Sequence, residues 1–329
     1  MILAGDIGGT STRIALFEGR NAVVSPLVER SYRSREYGGL REILRKFVAE
    51  YGPVIQHASF GIAGPVINGR VKTPNLPWLV DAQELAQELA LESIGLLNDL
   101  EANAYGVAAL GADDIVTVNE GALEASGNAA VISAGTGLGE AVLYWDGQLH
   151  RPFATEGGHA DFAPRDEMEI EFLRYLLRFH SHVSYERVLS GPGLQNIYAF
   201  LRDTGRASES PAIAEQMRSL DPAAVISSAA IKGICTLCAQ ALDLFVSIYG
   251  AAAGNLALKA MATGGVYIGG GIAPQIVEKL RSSRFMSAFT AKGRLGSLCT
   301  AIPVRVILNP KTALLGAARY AALRMRSAE

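Results

Sequence analysis

Cysteine is scarce, with three residues in 329. Three thiols cannot build a disulfide framework, and a chain of this size does not need one. A reducing cytosol fits that usage. An excess of one charge is also missing. Thirty Lys and Arg face thirty-two Asp and Glu, a formal net charge of −2. No basic surplus exists to neutralise a row of phosphates, so no nucleic-acid partner is expected. The longest apolar region, Ile234 to Met261, is interrupted by Gln240, Asp243, Asn255 and Lys259. A bilayer needs about 20 mostly uncharged residues, so a buried helix is expected there and no membrane partner. The N-terminal MILAGDIGGT lacks a basic segment followed by an apolar stretch and a cleavage site, which fits a cytoplasmic protein. Apolar residues (49%) and glycines (35) are plentiful. That excludes disorder and, at roughly 150 residues per domain, points to two domains.

Periodicity gives a coarse map. Ile2 to Ile7 and Thr12 to Phe17 read as two strands around Gly8-Gly9, with Glu18-Gly19 ending the second. Residues 38–51 carry Leu40, Ile43, Leu44, Phe47 and Val48 at helical spacing. Ala58–Ala63 and Ser93–Leu97 read as short strands. Asp81 with Glu84 resembles a capping box opening a helix over 82–90, and Asp99–Leu110 reads as helical. Asn128–Ser133 and Glu140–Trp145 form a second strand–glycine turn–strand unit. A shift of about 128 positions lays Gly9 on Gly137 and Gly19 on Gly147, so an architectural repeat is expected. Helices are expected over Asp166–Phe179, from Asp221-Pro222 towards Met261, over Ala273–Arg281 and over Thr312–Met325. Gly264–Gly271 reads as a glycine-bracketed strand, and Gly205–Ser210 as a surface loop. Cys235-x-x-Cys238 sits in an apolar helical pattern with no second such pair and no nearby His, so both thiols are expected in a core.

Three glycine turns carry the first chemical signal. In Asp6-x-Gly8-Gly9-Thr10, the glycines leave no Cβ between backbone and ligand, and their N–H groups can converge on phosphate oxygens. Thr10 adds a hydroxyl. Asp6 beside an anion calls for a cation, and Mg²⁺ held through water resolves the conflict. Gly135-Thr136-Gly137 offers the same donors. Gly269-Gly270-Gly271 ends a strand and suits close approach of a nucleoside or phosphate. Taken singly, each is also what an ordinary turn contains; three on one chain point to a nucleotide. GxxxxGK[ST] and GxGxxG are both absent, which excludes a P-loop ATPase and disfavours a Rossmann dinucleotide site.

A second group suits an acceptor. Asn98-Asp99 follows a strand and opens a helix, where Asp99 is either a cap or a general base for a hydroxyl proton. Glu156-Gly157-Gly158-His159 can aim a carboxylate and an imidazole at one polyol. Zinc ligation by His159 is disfavoured, because the five His residues (57, 150, 159, 180, 182) form no HExxH. Glu186 is a further carboxylate, just before Ser190-Gly191-Pro192-Gly193.

The segments GDIGGTSTRIALF, FGIAGPVINGRVKTPNLPW, LLNDLEANAYG, SAGTGLGEAV, EGGHADFAPRDEMEIEFL, YERVLSGPGLQNIY and GGVYIGGGIAP occur in that order. In these motifs the chain resembles the bacterial glucokinase family, within the actin-like ATPases and hexokinases. The resemblance implies an α/β fold: two ribonuclease-H-like domains with mixed sheets around a cleft. The small domain would be 1–109, the large one 110–310, and the helix in 311–329 would return to the small domain. It implies ATP and Mg²⁺, with phosphates on Gly5, Asp6, Ile7, Gly8, Gly9 and Thr10 and near Thr136 and Gly137. The adenosine end would lie near Gly269, Gly270 and Gly271. Glucose would be held by Asn98, Asp99, Glu156, His159 and Glu186, with Asp99 taking the 6-hydroxyl proton. A homodimer is implied as well. Relatives with a cysteine-rich zinc motif after the Gly-His pair fit poorly, since Cys235, Cys238 and Cys299 are far from His159. Two alternatives stay open at this point: another hexose as acceptor, and a nucleotide-binding sensor or filament subunit on the same scaffold.

Overall fold

The computed structural model describes residues 1–20, 23–52, 54–74 and 76–326. Asn75 of the FGIAGPVINGRVKTPNLPW motif and residues 327–329 of the expected terminal segment lie outside them. The chain forms two compact units. Unit 1 comprises Met1–Ala112, Leu149–Ala154 and the chain from Asn309 onward; unit 2 comprises Asp113–Gln148 and Thr155–Leu308.

Unit 1 is built on strands β1 (Ile2–Ile7), β2 (Ser11–Arg20), β3 (Val23–Arg33), β4 (His57–Ile62) and β7 (Gly95–Asn98), in the order β3-β2-β1-β4-β7. β5 (Arg70–Lys72) and β6 (Leu79–Asp81) pair separately. The β1–β2 and β2–β3 pairs are antiparallel, whereas β1–β4 and β4–β7 are parallel. The helices are α1 (Leu40–Tyr51), α2 (Ala82–Glu88), α3 (Asp99–Val107) and α12 (Thr312–Arg326). Alternation along β1 fills two cores. Leu3 and Ile7 join Leu40, Phe47, Phe60 and Trp78 on one face. Ile2 and Ala4 meet Leu314, Ala317, Ala318 and Ala321 of α12 on the other. Those alanines let α12 lie close to the sheet. Asp81 caps α2, accepting from the amides of Gln83 and Glu84.

Unit 2 contains β8 (Ile115–Asn119), β9 (Ala129–Ala134), β10 (Leu138–Trp145), β12 (Gly265–Gly269) and β13 (Val304–Ile307). Within its sheet β10, β9, β12, β13 and β8 lie side by side in that order. β11 (His150–Thr155) falls mostly in the segment grouped with unit 1. The β9–β10 hairpin repeats the antiparallel β1–β2 hairpin, its two strands starting within one residue of the 128-position shift, and β9–β12 repeats the parallel β1–β4 pairing. The expected repeat is therefore architectural.

The helices of unit 2 are α4 (Glu167–Leu176), α5 (Gly191–Asp203), α6 (Pro211–Ser219), α7 (Pro222–Ile231), α8 (Thr236–Ala260), α9 (Val277–Leu280), α10 (Ser283–Thr290) and α11 (Gly296–Thr300). The apolar helix α8 is largely buried in the core, where Leu242, Phe245 and Tyr249 are wholly enclosed. Its close contacts with α10 need Gly250 and Gly254, where a Cβ would strike the backbone of Phe285 and Phe289. The helical region from Asp221 is two helices, not one. Gly233, in the left-handed region at φ +69°, breaks it before Cys235, whose sulfur accepts the amide of Cys238 at 3.1 Å. All three thiols are free and buried.

Candidate functional site

In unit 1 the strand register assembles the candidate residues. Ile7 pairs with Ile62 and Ile62 with Asn98 along parallel strands. The Gly8-Gly9-Thr10 turn and Asn98-Asp99 therefore leave the same edge of the sheet, two strands apart, or about 10 Å. This edge, at the carboxyl ends of parallel strands, is where open α/β sheets take ligands.

The turn is tightly built. The Gly8 amide donates to the Ser11 carbonyl at 3.0 Å. Gly5, three residues earlier on β1, faces Phe60, and a Cβ there would come within 2.7 Å of the ring. Asp6 faces Arg13 across the β1–β2 ladder, with 3.8 Å between carboxylate and guanidinium. Arg13 also donates to the Pro310 carbonyl at 2.6 Å. Burial pushes the Asp6 carboxyl above the usual carboxylate range, with Arg13 opposing. Among the described residues no three His, Cys, Asp or Glu side chains cluster as a metal cage. A single carboxylate beside the first glycine turn fits an ion that keeps most of its water, as Mg²⁺ does.

Asn98 is the N-cap of α3; its side chain accepts the Leu100 amide at 2.8 Å and donates to the Gly64 carbonyl at 3.1 Å. Glu101 returns the favour by accepting the Asn98 amide, although burial still raises its pKa. Asp99 is thus the first helical residue, not the cap. It is half-buried, and its carbonyl is held by the Asn103 side chain at 3.0 Å. Gly61 on β4 lets α3 approach, since a Cβ there would sit 2.7 Å from that of Ala102.

In unit 2 the second and third glycine turns are neighbours. Gly269 pairs with Ser133 in the parallel β12–β9 register, and the Ile272 amide donates to the Ala134 carbonyl at 3.3 Å. Gly270, at φ +85°, is pressed on Ala134, where any Cβ would strike the backbone. The Gly191 amide donates to the Gly135 carbonyl at 2.8 Å. Thr136 is exposed. Glu156 precedes the short Gly157–His159 helix, His159 ends it, and both are exposed. Gly157 rests on the Glu140 carboxylate and Gly158 on the Leu138 carbonyl, approaches that any Cβ would block. The Tyr185 amide donates to the Ala160 carbonyl at 2.9 Å, which brings Glu186 alongside this turn. Glu186 accepts the Leu138 amide at 3.0 Å. Unit 2 thus gathers Thr136, Gly137, Glu156, His159, Glu186 and Gly269–Gly271 around the start of β10.

Three supporting residues were not legible in the sequence. The Tyr249 hydroxyl, wholly buried, accepts the Ala134 amide at 3.2 Å and faces the Ile132 and Gly269 carbonyls at 3.3 and 3.4 Å. It ties the two glycine turns of unit 2 together. Glu140 is a buried carboxylate whose pKa is raised by burial, with Lys259 opposing. Ser34 is buried behind the first turn. Each lies in an ordinary apolar or polar context, with no motif to mark it.

The chain matches the family described as Glucokinase over residues 3–324. A glucokinase of a Nostoc species is 44% identical over 338 residues, covering 98% of this chain and 99% of that protein. A glucokinase of Synechocystis is 41% identical over 345 residues, covering 97% of each. Among solved structures, a glucokinase from an Antarctic psychrotroph superposes with a TM-score of 0.85 at 33% identity, covering 97% of this chain and 98% of that one. The mixed-sheet, actin-like ATPase architecture expected from the sequence is the architecture found.

Proposed function

The chain belongs to the glucokinase family, and from that premise we propose that it transfers the terminal phosphoryl group of MgATP to the 6-hydroxyl of glucose, giving glucose 6-phosphate and ADP. The observation that carries the reading is the register of Ile7, Ile62 and Asn98. It supports a phosphate-binding turn and a carboxylate base working at one sheet edge.

Phosphoryl transfer asks a protein for positioning and charge stabilisation more than for covalent chemistry. Amides of the Gly5–Thr10 segment, that of Gly8 excepted, and of Thr136-Gly137 would hold phosphate oxygens, with the adenosine end on Gly269–Gly271. Mg²⁺, kept near Asp6 through water, would offset phosphate charge. Asp99 would accept the proton of the attacking hydroxyl; its place in the first turn of α3 also favours a carboxylate. Asn98 orients that turn. Glu156, His159 and Glu186 would bind other sugar hydroxyls as acceptors and donors. We take the enzyme to work in the cytoplasm, as a homodimer, at the first step of glycolysis.

The test is the purified protein with MgATP and a panel of glucose, mannose, fructose and N-acetyl amino sugars, with products identified by mass. Glucose 6-phosphate as the main product is expected. A dominant product from another hexose would move the substrate, and no sugar phosphate at all would end the kinase reading.

A further inference from the structure

We propose that Ser34, with Thr12 behind it, is a positioning residue that aims the nucleotide-binding amides of the first glycine turn; this rests on the kinase reading above. Ser34 lies in the connection between β3 and α1 and, like Thr12, is 0% exposed. Its hydroxyl donates to the Gly8 carbonyl at 2.7 Å, and its own amide donates to the Thr10 carbonyl at 3.0 Å. Its Oγ also lies 3.0 Å from Thr12 Oγ1. A serine hydroxyl carries one proton. With that proton on Gly8, the Thr12 hydroxyl must be the donor to Ser34. The chain of donors is therefore directional: Thr12 to Ser34 to Gly8.

The consequence follows from peptide geometry. No cis bond occurs among the described residues. In a planar trans peptide, the carbonyl of one residue and the amide of the next point in opposite directions. Holding the Gly8 carbonyl towards Ser34 turns the Gly9 amide away from it. Holding the Thr10 carbonyl does the same to the Ser11 amide. One buried serine thus grips two alternate carbonyls of a glycine turn that would otherwise be loose. Glycine has the most backbone freedom to lose, so the turn gains most from such a grip. The Gly8 amide, bonded to the Ser11 carbonyl, closes the turn on itself and is not part of the aimed set.

The experiment compares the full-length wild type with Ser34→Ala, Thr12→Val and Thr12→Ser. Steady-state KM is measured for ATP and for glucose separately, and ADP affinity by calorimetry. Ser34→Ala should raise the KM for ATP and the Kd for ADP about tenfold, the factor for a lost hydrogen bond of about 1.4 kcal/mol. The KM for glucose should stay within about twofold. Thr12→Val should shift the same two constants in the same direction, while Thr12→Ser, which keeps the hydroxyl, should behave as wild type. If Ser34→Ala does not fold, the Thr12 pair gives the same reading. Unchanged ATP and ADP constants in both Ser34→Ala and Thr12→Val, or equal changes for both substrates, would overturn the assignment while leaving the kinase intact. A wild type that binds no ADP and phosphorylates no sugar would overturn both.

Discussion

Glu186 Oε2 accepts the Leu138 amide at 3.0 Å, and the same oxygen lies 2.5 Å from where a Cβ on Gly137 would be. A carboxylate expected among the sugar ligands is thereby also the brace of the second glycine turn. Gly137→Ala is a clean way to separate the two. The new methyl meets only the far end of a flexible side chain, so the stability loss should be about 1 kcal/mol, the cost of one displaced hydrogen bond. The KM should rise for both glucose and ATP, because one displaced carboxylate serves both. Steady-state kinetics with each substrate varied in turn check this. A Gly137→Ala enzyme with both constants unchanged would show that the contact has no functional weight.

Asp99→Asn keeps the shape of the first turn of α3 and removes the proposed base. Glucose affinity, read by calorimetry, should stay near that of the wild type. General-base catalysis is worth about 10²–10⁴ in rate, so kcat should fall at least about a hundredfold. A kcat close to wild type would remove Asp99 from the base role.

Glu140 gives a prediction in pH. Burial raises its native pKa above that of the unfolded chain, with Lys259 opposing. The native state then holds the proton more tightly than the unfolded one. Stability accordingly falls as pH rises from the unfolded value of about 4.3 through the raised native value, and stays low above it. Glu140→Gln removes this titration. Its melting temperature relative to wild type should therefore climb as pH rises from about 4.3 through the raised native value. A difference that is flat or shrinks over that range would mean the carboxylate is not destabilised by its site.

The crossing of α3 and α12 rests on two glycines. A Cβ on Gly316 would enter the Ala102 carbonyl, and one on Gly106 the Thr312 carbonyl. Both obstacles are backbone, so neither can swing aside. Gly316→Ala should cost about 3 kcal/mol by overpacking, well beyond the ~1 kcal/mol that alanine gains in a helix. Because α3 begins with Asp99, kcat should fall too, with Tm and urea midpoint dropping together. A variant as stable as wild type would contradict the crossing.

The parts legible in the sequence are those where one residue type has few substitutes. Gly8-Gly9, Gly135-x-Gly137 and Gly269–Gly271 stand out because clustered glycines mark turns, and Gly270 among them is pressed onto the Ala134 backbone where a Cβ has no room. Asp81 announced α2 because a cap has a short list of candidates. β3 was missed because Val23–Arg33 mixes Pro26, Glu29, Arg30 and Arg33 into an edge strand, where alternation is weak. β8 and β13 are five- and four-residue strands whose pairing is between segments far apart in the chain, so no local pattern marks them. The residues behind the site, Ser34, Tyr249 and Glu140, owe their roles to what they face after folding, which spacing does not record.

The placement of α12 has a bearing on biosynthesis. Ile2, Ala4 and Phe17 pack against Leu314, Ala317 and Ala321, which the ribosome makes after all of unit 2. At about 5–20 residues per second, this oily side of the first hairpin waits on the order of tens of seconds for its partner. A nascent chain of this enzyme should therefore depend on holding factors for its opening strands, and stalling late in translation should be more harmful than the few missing residues would imply.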